Sequence, residues 1–278
     1  MAVVLLFSLI SCSMANKEEA TTTKKETTTT TTTEPTTVTT TENEKTSFPE
    51  NKTARIYKGL SKDKNGDYPY KVASYSTYYN SYDTTRTQNL KTAVSKVNNI
   101  VVPSGEVFSF NQTVGKRTVT AGYETAKIVQ DGEFVDGLGG GVCQVSSTIF
   151  ECALRTNAQI IERYCHSLKV AYVPLGGDAT VMWPSADFKF KNRSKADFII
   201  KMNCSSGTLT CSIWANKKID VGDVDISISK SGKNYILTRK VDGSQNYITY
   251  SQYQEPKTTT KKATTTKKAK KKKSKKNN

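Results

Sequence analysis

The chain has 278 residues, of which 41 are Lys or Arg and 25 are Asp or Glu, so its formal net charge is +16. Residues 256–278 contain 11 lysines and no acidic residue, and without these lysines the net charge falls to +5. The excess positive charge therefore belongs to one terminal segment, which argues against a nucleic-acid-binding surface on the remainder of the chain.

The first twelve residues form a predicted export signal. A mostly apolar run from Ala2 to Ile10 is too short to span a bilayer. The sequence LISC at residues 9–12 matches the lipobox of bacterial lipoproteins, whose cysteine is lipidated and becomes the first residue of the mature protein. We therefore expect an extracytoplasmic protein that a lipid on Cys12 anchors to the membrane. An ordinary cleaved signal peptide is the alternative.

Low-complexity segments flank the central part of the chain. Threonine accounts for 15 of the 21 residues from Thr21 to Thr41, and such a segment cannot bury enough apolar surface to offset the entropy of ordering. We predict a disordered tether at residues 13–52 and a disordered lysine-rich tail at residues 256–278. The roughly 200 residues between them are enough for one domain with its own core. We place that domain at residues 53–218, followed by a β segment at residues 219–255.

Two stretches have the periodicity of amphipathic helices. The first runs from Arg86 to Ile100. The second runs from about Gln144 to Arg155 and begins at the Gly-Gly-Gly-Val-Cys motif of residues 139–143. Beyond them the apolar pattern changes to a period of two, which is typical of strands. The predicted strands are Gln159–Tyr164, Leu168–Val173, Ala179–Trp183, Phe188–Lys191, Asp197–Cys204, Thr208–Trp214, Tyr235–Val241 and Tyr247–Tyr253. The predicted fold is therefore α+β, with two helices on mostly antiparallel strands.

The residues of one motif are suited to acyl-transfer chemistry. Cys143 begins the second helix, where unpaired backbone N–H groups and the helix dipole favour a thiolate. The backbone of Gly139, Gly140 and Gly141 carries no side chains and could supply an oxyanion hole. His166 is the single histidine of the chain, and an imidazole is the simplest general base for a thiol near neutral pH.

Two other interpretations of these residues remain open. The glycines could form a turn that precedes a buried, inert thiol. A zinc site of Cys143, Cys165 and His166 is less favoured, because neighbouring residues of a strand point to opposite faces. By the same alternation we expect Cys165 to be buried. We expect no cofactor and no metal.

Taken together, the motifs resemble the VanW family of exported bacterial proteins. The resemblance covers roughly Tyr75 to Trp214. It is carried by RTQNL at residues 86–90, PSGEVFSFN at 103–111, GGGVCQVSS at 139–147, YVPLG at 172–176 and DAT at 178–180. Some members of this family look like peptidoglycan L,D-transpeptidases. The resemblance therefore implies a catalytic domain that acts on peptidoglycan stem peptides.

The same resemblance implies roles for individual residues. Cys143 would attack the carbonyl of the third stem residue, and His166 would act as the base that Asp178 orients; a cap at a strand start is the alternative for Asp178. Ser167 would contact the substrate. Arg163 and Tyr123 would contact the acidic stem peptide or serve the structure.

The predicted function is cross-linking of third stem residues by an L,D-transpeptidase, or hydrolysis by an L,D-carboxypeptidase. The alternatives are a non-catalytic wall-binding or glycopeptide-resistance accessory module, and a cysteine peptidase. The lysine-rich tail would be attracted to anionic wall polymers or to the membrane surface. No nucleic-acid partner is expected.

Overall fold

The computed structural model describes residues 60, 62 and 66–256. The predicted signal segment with Cys12, the threonine-rich tether and residues 257–278 of the lysine-rich tail lie outside the described residues. None of the described helices is long and apolar enough to cross a membrane.

The described part of the chain contains twelve strands in four sheets, and every ladder between them is antiparallel. The strands are β1 (Tyr70–Tyr78), β2 (Ile100–Val102), β3 (Val107–Ser109), β4 (Thr125–Gln130), β5 (Glu133–Leu138), β6 (Gln159–Glu162), β7 (Lys189–Lys191), β8 (Phe198–Ser205), β9 (Thr208–Ala215), β10 (Val224–Ser231), β11 (Asn234–Val241) and β12 (Ser244–Ser251). The sheet orders are β1-β9-β8-β2, β3-β7-β6, β4-β5 and β10-β11-β12. With its helices, this arrangement is an α+β fold.

Three α-helices accompany the strands: α1 (Thr84–Val97), α2 (Phe110–Val114) and α3 (Val142–Leu154). The sequence analysis predicted two, because the five-residue α2 is too short to show a helical period. Its start is set instead by Ser109, whose hydroxyl accepts a hydrogen bond from the Gln112 N–H at 3.1 Å.

The ends of α1 differ from the predicted range of residues 86–100 for local reasons. Asp83 caps the helix by accepting a hydrogen bond from the Arg86 N–H at 3.1 Å, so the helix begins at Thr84. At the other end Asn99 has a φ of 65°, which a continuing helix cannot contain. The next residue, Ile100 of β2, pairs with Ile200 of β8.

The hairpins in the second half of the chain turn where the sequence indicates. Ser206 and Gly207 both have positive φ and join β8 to β9, and Asp242 and Gly243 do the same between β11 and β12. In the first hairpin Cys211 is paired with Met202 rather than with Cys204, and both cysteines are free thiols.

Two predicted strands are wrong. Residues 168–173 and 179–183 form no strand, and the strand predicted at residues 159–164 ends at Glu162. Apolar residues do recur there with a period of two. The backbone, however, forms its hydrogen bonds with other parts of the chain and not with a neighbouring strand. The Thr180 N–H donates to the Tyr164 carbonyl at 2.8 Å, and the Ala179 N–H donates to the Ser147 hydroxyl at 2.9 Å. The loop of residues 163–187 is therefore held by side chains of α3.

The main core lies between the sheet containing β8 and β9 and the two longer helices. From α1 it receives Leu90, Ala93 and Val97, and from α3 it receives Val145 and Ile149, all of them at most 4% exposed. Every residue of α3 except Cys143 is buried, so this helix lies inside the fold rather than on its surface.

The C-terminal sheet contacts the end of α3. Arg239 of β11 is 2% exposed, and its Nη1 donates to the carbonyls of Leu154 and Ala158 at 3.1 and 2.9 Å. These carbonyls lie at and just beyond the C-terminus of α3, where a positive charge is favourable. The domain boundaries predicted at residues 12, 52, 218 and 255 stay predictions.

Candidate active site

The glycine motif is built into a close contact with the β4–β5 hairpin. A Cβ on Gly140 would lie 2.6 Å from the Lys127 carbonyl oxygen and 2.7 Å from the Ala126 carbonyl carbon. The buried side chain of Asn89 in α1 fixes the same segment, since its Nδ2 donates to the carbonyls of Gly140 and Glu124 at 3.0 and 2.9 Å. Packing therefore accounts for part of the glycine requirement.

Only some of the backbone donors of this motif remain open. The Gly139 N–H donates to the Glu124 carbonyl at 3.0 Å, so this group is already used and cannot serve the predicted oxyanion hole. For the N–H groups of Gly140, Gly141 and Cys143, no acceptor is found among the described residues. These three N–H groups are the ones that an added acceptor could still reach.

Cys143 lies in the first turn of α3, immediately after Gly141 and Val142. All thirteen residues of α3 are described, and Cys143 is the one among them that is not buried. Its Sγ lies 3.4 Å from the Val181 carbonyl oxygen. Cys143 is therefore the one partly exposed residue of an otherwise buried helix, and the imidazole of His166 acts to lower the pKa of its thiol.

His166 and Asp178 are held together by two hydrogen bonds. Asp178 Oδ2 lies 2.6 Å from His166 Nδ1 and accepts the His166 backbone N–H at 2.7 Å. The side chains are 6% and 0% exposed, respectively. Because Nδ1 faces the carboxylate, Nε2 is the nitrogen left for exchange with the thiol.

Electrostatics favour an ion pair of Cys143 and His166. Burial alone would lower the pKa of His166, but the hydrogen bonds to Asp178 and Cys143 and their negative charges raise it to about 10. Burial likewise acts to raise the pKa of Cys143, yet the adjacent His166 and the charge of Arg117 bring this pKa below its ordinary value. The pKa of the imidazole therefore lies above that of the thiol, so a proton shared between the two groups is held by His166.

Asp178 stays ionised although it is fully buried. Burial would raise its pKa, but hydrogen bonding to His166, the charge of Arg163 and the hydroxyl of Tyr253 hold this pKa below its ordinary value. Tyr253 donates to Oδ1 at 2.5 Å, and Arg163 Nη2 donates to the same oxygen at 3.0 Å.

Arg163, predicted to contact substrate, is 2% exposed in its side chain and lies behind Asp178. Its donors are taken up by protein oxygens: the carbonyls of Asp178 and Gly176, the Asp178 carboxylate, and the hydroxyls of Thr249 and Ser251. This placement favours the structural role, because no donor faces a substrate.

The loop with His166 and Asp178 is fastened to the first turns of α3. The Ser146 hydroxyl donates to the Ala179 carbonyl at 2.6 Å, and the Ser147 hydroxyl donates to the Cys143 carbonyl at 2.7 Å. Both serines are fully buried. They therefore hold the first turn of α3, with Cys143, to the segment that carries Asp178.

Tyr172 also belongs to the site, although the sequence analysis gave it no role. Its hydroxyl lies 3.4 Å from His166 Nε2, and burial and the nearby negative charges of Cys143 and Asp178 raise its pKa well above the ordinary value. Its place in the YVPLG motif was the available signal. A neutral phenol is thus held beside the nitrogen that must carry the proton.

The remaining predicted residues, Tyr123, Ser167 and Cys165, contact other parts of the chain. Tyr123 is 1% exposed, with its ring under the Lys96 ammonium at 5.1 Å. Ser167 is partly buried, and its carbonyl accepts from the Gln254 N–H at 2.7 Å. Cys165 is partly exposed rather than buried, with its Sγ 3.8 Å from the Gln252 carbonyl, because residues 163–168 are a loop and strand alternation does not apply.

In the part of the chain that the structure describes, no group of three or more His, Cys, Asp or Glu side chains is arranged to hold a metal ion. The nearest acidic neighbours of Cys143 and His166 are instead used in hydrogen bonds to the imidazole and to Arg163.

The fold and this site define a class: an α+β domain in which a buried carboxylate orients an imidazole against a thiol at a helix start. Residues 85–214 match the family model described as VanW like protein. These residues therefore form a VanW-like domain.

Two curated relatives are similar to the chain. Over 149 residues it is 40% identical to the uncharacterized protein YoaR of Bacillus subtilis, covering 54% of this chain and 49% of that protein. Over 142 residues it is 28% identical to the vancomycin B-type resistance protein VanW of Enterococcus faecalis, covering 49% of this chain and 52% of that protein. The chain thus spans about half the length of the relatives it matches. No solved structure matches it significantly.

Proposed function

We propose that the chain is an acyltransferase of the bacterial cell wall, an L,D-transpeptidase or L,D-carboxypeptidase with Cys143 as its nucleophile. The observation that carries the proposal is the pairing of Asp178 with His166 at 2.6 Å, together with the effect of this imidazole on the thiol of Cys143 at the start of α3. The name of the Enterococcus relative connects that protein to vancomycin resistance, which supports a substrate in the cell wall.

In the acylation step, the Cys143 thiolate attacks the carbonyl carbon between the third stem residue and the terminal D-alanine. The negative charge that develops on the carbonyl oxygen would be met by the N–H groups of Gly140, Gly141 and Cys143. His166 Nε2 then transfers its proton to the departing nitrogen, so that the C–N bond breaks, D-alanine leaves as an amine and a thioester remains.

In the second step, an acceptor attacks the thioester. His166 Nε2 removes a proton from an amine of a neighbouring stem, the new amide bond forms, and sulfur leaves as the thiolate. Water in place of the amine would release a free tripeptide instead. The two products distinguish the transpeptidase from the carboxypeptidase, and both require the same three residues.

The purified full chain and its Cys143→Ala variant would be incubated with disaccharide-tetrapeptide muropeptides, and products and intact protein read by mass spectrometry. We expect loss of D-alanine and a cross-linked dimer with the wild type, and neither with the variant at an unchanged melting temperature. Loss of D-alanine without a dimer would assign the carboxypeptidase. A wild type that forms neither product nor acyl adduct would contradict the proposal and favour a wall-binding module.

The chain ends would place this site at the wall. We propose that a lipid on Cys12 anchors the protein to the outer face of the cell membrane. The threonine-rich tether would then let the domain reach into the cell wall. The lysine-rich tail would add attraction to anionic wall polymers or headgroups.

A further inference from the structure

Two arginines lie at the two ends of the glycine motif. The Cγ of Arg117 is 3.0 Å from the position that a Cβ on Gly139 would take, and the Cγ of Arg86 is 3.1 Å from the corresponding position on Gly141. Arg86 Nη2 also donates to the Oε1 of Gln144, the residue after Cys143, at 2.8 Å. The two guanidinium groups therefore flank the backbone that leads into the nucleophile.

Each of these arginines has one buried nitrogen without an acceptor among the described residues: Nη1 of Arg86 and Nη2 of Arg117. The second terminal nitrogen of each is used: Arg86 Nη2 donates to Gln144, and Arg117 Nη1 donates to Asn111 Oδ1 at 2.8 Å and to the Gly115 carbonyl at 3.0 Å. A guanidinium cannot lose its proton in a protein, so both nitrogens remain donors. Buried donors normally have a partner, and two such exceptions at the two ends of the glycine motif indicate a place for an anionic acceptor.

The charges of both arginines act on the reacting groups. Arg117 helps to lower the pKa of Cys143, and Arg86 acts in the same direction on the pKa of Tyr172, whose hydroxyl lies 3.4 Å from His166 Nε2. The carboxylate of Asp187 also acts on the pKa of Arg117. It already accepts hydrogen bonds from the Ser109 hydroxyl and the Asn111 N–H.

We propose that Arg86 and Arg117 bind the free carboxylate of the residue that leaves when Cys143 is acylated. A planar carboxylate accepts N–H donors of guanidinium groups with favourable geometry and charge. The inference rests on the proposed function and adds a substrate requirement to it. The acyl donor must end one residue after the scissile bond with an unblocked carboxylate, and a longer or amidated donor is a poor substrate.

The test uses two tetrapeptide stems that differ only at the end, one with a free terminal carboxylate and one with a terminal amide. The rate of Cys143 acylation, kcat/KM, is measured for each with the full chain by intact-protein mass spectrometry. We expect the free acid to react about ten- to a hundred-fold faster, since that is the usual contribution of hydrogen bonds to a charged group.

Arg86→Gln and Arg117→Gln then assign the effect to residues. In each variant we expect the ratio of kcat/KM for the free acid to kcat/KM for the amide to fall towards one. Most of the decrease should come from a lower kcat/KM for the free acid. Because the ratio is internal to each variant, partial misfolding lowers both rates equally and leaves the ratio unchanged. Arg193→Gln, at an exposed arginine of the β7–β8 connection, is the matched control and should keep the wild-type ratio.

Each result decides between the two proposals. A wild-type ratio near one, with acylation by both peptides, overturns the carboxylate site and leaves the acyltransferase standing. A high ratio that survives in both arginine variants overturns the assignment to Arg86 and Arg117. Failure of both peptides to acylate an intact Cys143 thiol contradicts the proposed function, and with it this inference.

Discussion

The hydroxyl of Tyr253 donates to Oδ1 of Asp178 at 2.5 Å, while Oδ2 of the same carboxylate is 2.6 Å from His166 Nδ1. Tyr253 also accepts the Gly176 N–H at 2.7 Å. One phenol therefore fixes both the carboxylate and the turn that precedes it. Tyr253 lies beyond residue 214, where the match to the family model ends.

Tyr253→Phe removes this hydrogen-bond donor to Asp178 and should weaken the interaction of Asp178 with the imidazolium of His166. Without this donor the carboxylate is held less firmly in place, so its hydrogen bond with the imidazolium should weaken; the pKa of His166 should then fall below about 10, and the high-pH limb of acylation should move to lower pH. At neutral pH we expect kcat/KM to drop about tenfold, the usual worth of one hydrogen bond to a charged group. The pH profile of acylation measures both effects.

Tyr250→Phe is the matched control, because Tyr250 lies on the neighbouring part of β12 with 58% of its surface exposed. If Tyr253→Phe lowered only the melting temperature and left the pH profile in place, Tyr253 would be a purely structural residue.

His166→Gln should change how the reactivity of Cys143 depends on pH. In the wild type the thiolate is lost only as pH falls through the lowered pKa of Cys143, and the imidazolium persists until pH rises to about 10, so the rate of alkylation should form a plateau between these two pKa values. Without the imidazole, burial dominates and the thiolate should form only at alkaline pH.

Iodoacetamide labelling with peptide mapping measures this difference, and we expect the Cys143 rate at pH 7 to fall at least tenfold. Cys165, whose thiol faces the Gln252 carbonyl, is an internal reference that should keep its rate. Equal labelling profiles of Cys143 in the two proteins would contradict the ion pair.

Much of the site could be predicted from residue types, because a single histidine and a cysteine at a helix start leave few combinations. The role of Arg163 could not, since it depends on Thr249 and Ser251, far along the chain. The same holds for Tyr253. Local periodicity carries no information about such pairings, and the open donors of Arg86 and Arg117 become visible only when the glycine motif is packed.

The fold was predictable where turns and periodicity agree, as in the β8–β9 and β11–β12 hairpins. It was not predictable at residues 168–183, where alternation suggested strands but side chains such as Ser147 take the backbone bonds. The β4–β5 hairpin and β1 were not identified, since polar residues interrupt their alternation. Tertiary contacts, such as those of β1 with α3 and of β4 with α1, decide these regions.

Arg163→Met should destabilise the protein strongly. It would leave the fully buried Asp178 carboxylate without its cationic partner, and breaking one side of a buried ion pair costs about 3–5 kcal/mol. Urea denaturation measures the free energy of unfolding. Arg193→Met, at an exposed position, should change it by less than about 0.5 kcal/mol.

A double variant sharpens this test. Adding Asp178→Asn to Arg163→Met removes the unpaired charge and should recover part of the lost stability, although activity stays low. If Arg163→Met alone cost no more than the control, the ion pair with Asp178 would contribute nothing to folding.

Gly140→Ala tests the packing of the glycine motif. The added Cβ would overlap backbone atoms of Ala126 and Lys127, so we expect a loss of about 3 kcal/mol or more in the free energy of unfolding. Gly105→Ala is the control: nothing lies within 4 Å of its Cβ position, and only its φ of +81° costs energy, about 1 kcal/mol. Equal losses at the two positions would show that close contact with β4 is not what requires Gly140.

Removing residues 256–278 should lower retention on anionic wall material. The 11 lysines act over about 10 Å at 0.1 M salt, so the difference from the full chain should be largest at low ionic strength and vanish at high salt. A chain of equal length with the lysines changed to threonine is the control for tail length. Retention that is the same at every salt concentration would refute targeting by the tail.

The antiparallel pairing of β1 with β9 has a practical consequence for anyone who isolates this domain. β1, at residues 70–78, precedes the first residue matched by the family model, yet it covers the outer edge of β9 along its whole length. A polypeptide cut at residues 85 and 214 would expose that edge as a row of unsatisfied amides and carbonyls, a template for self-association. Insolubility of such a fragment would therefore report a missing neighbour strand and not an intrinsic weakness of the protein.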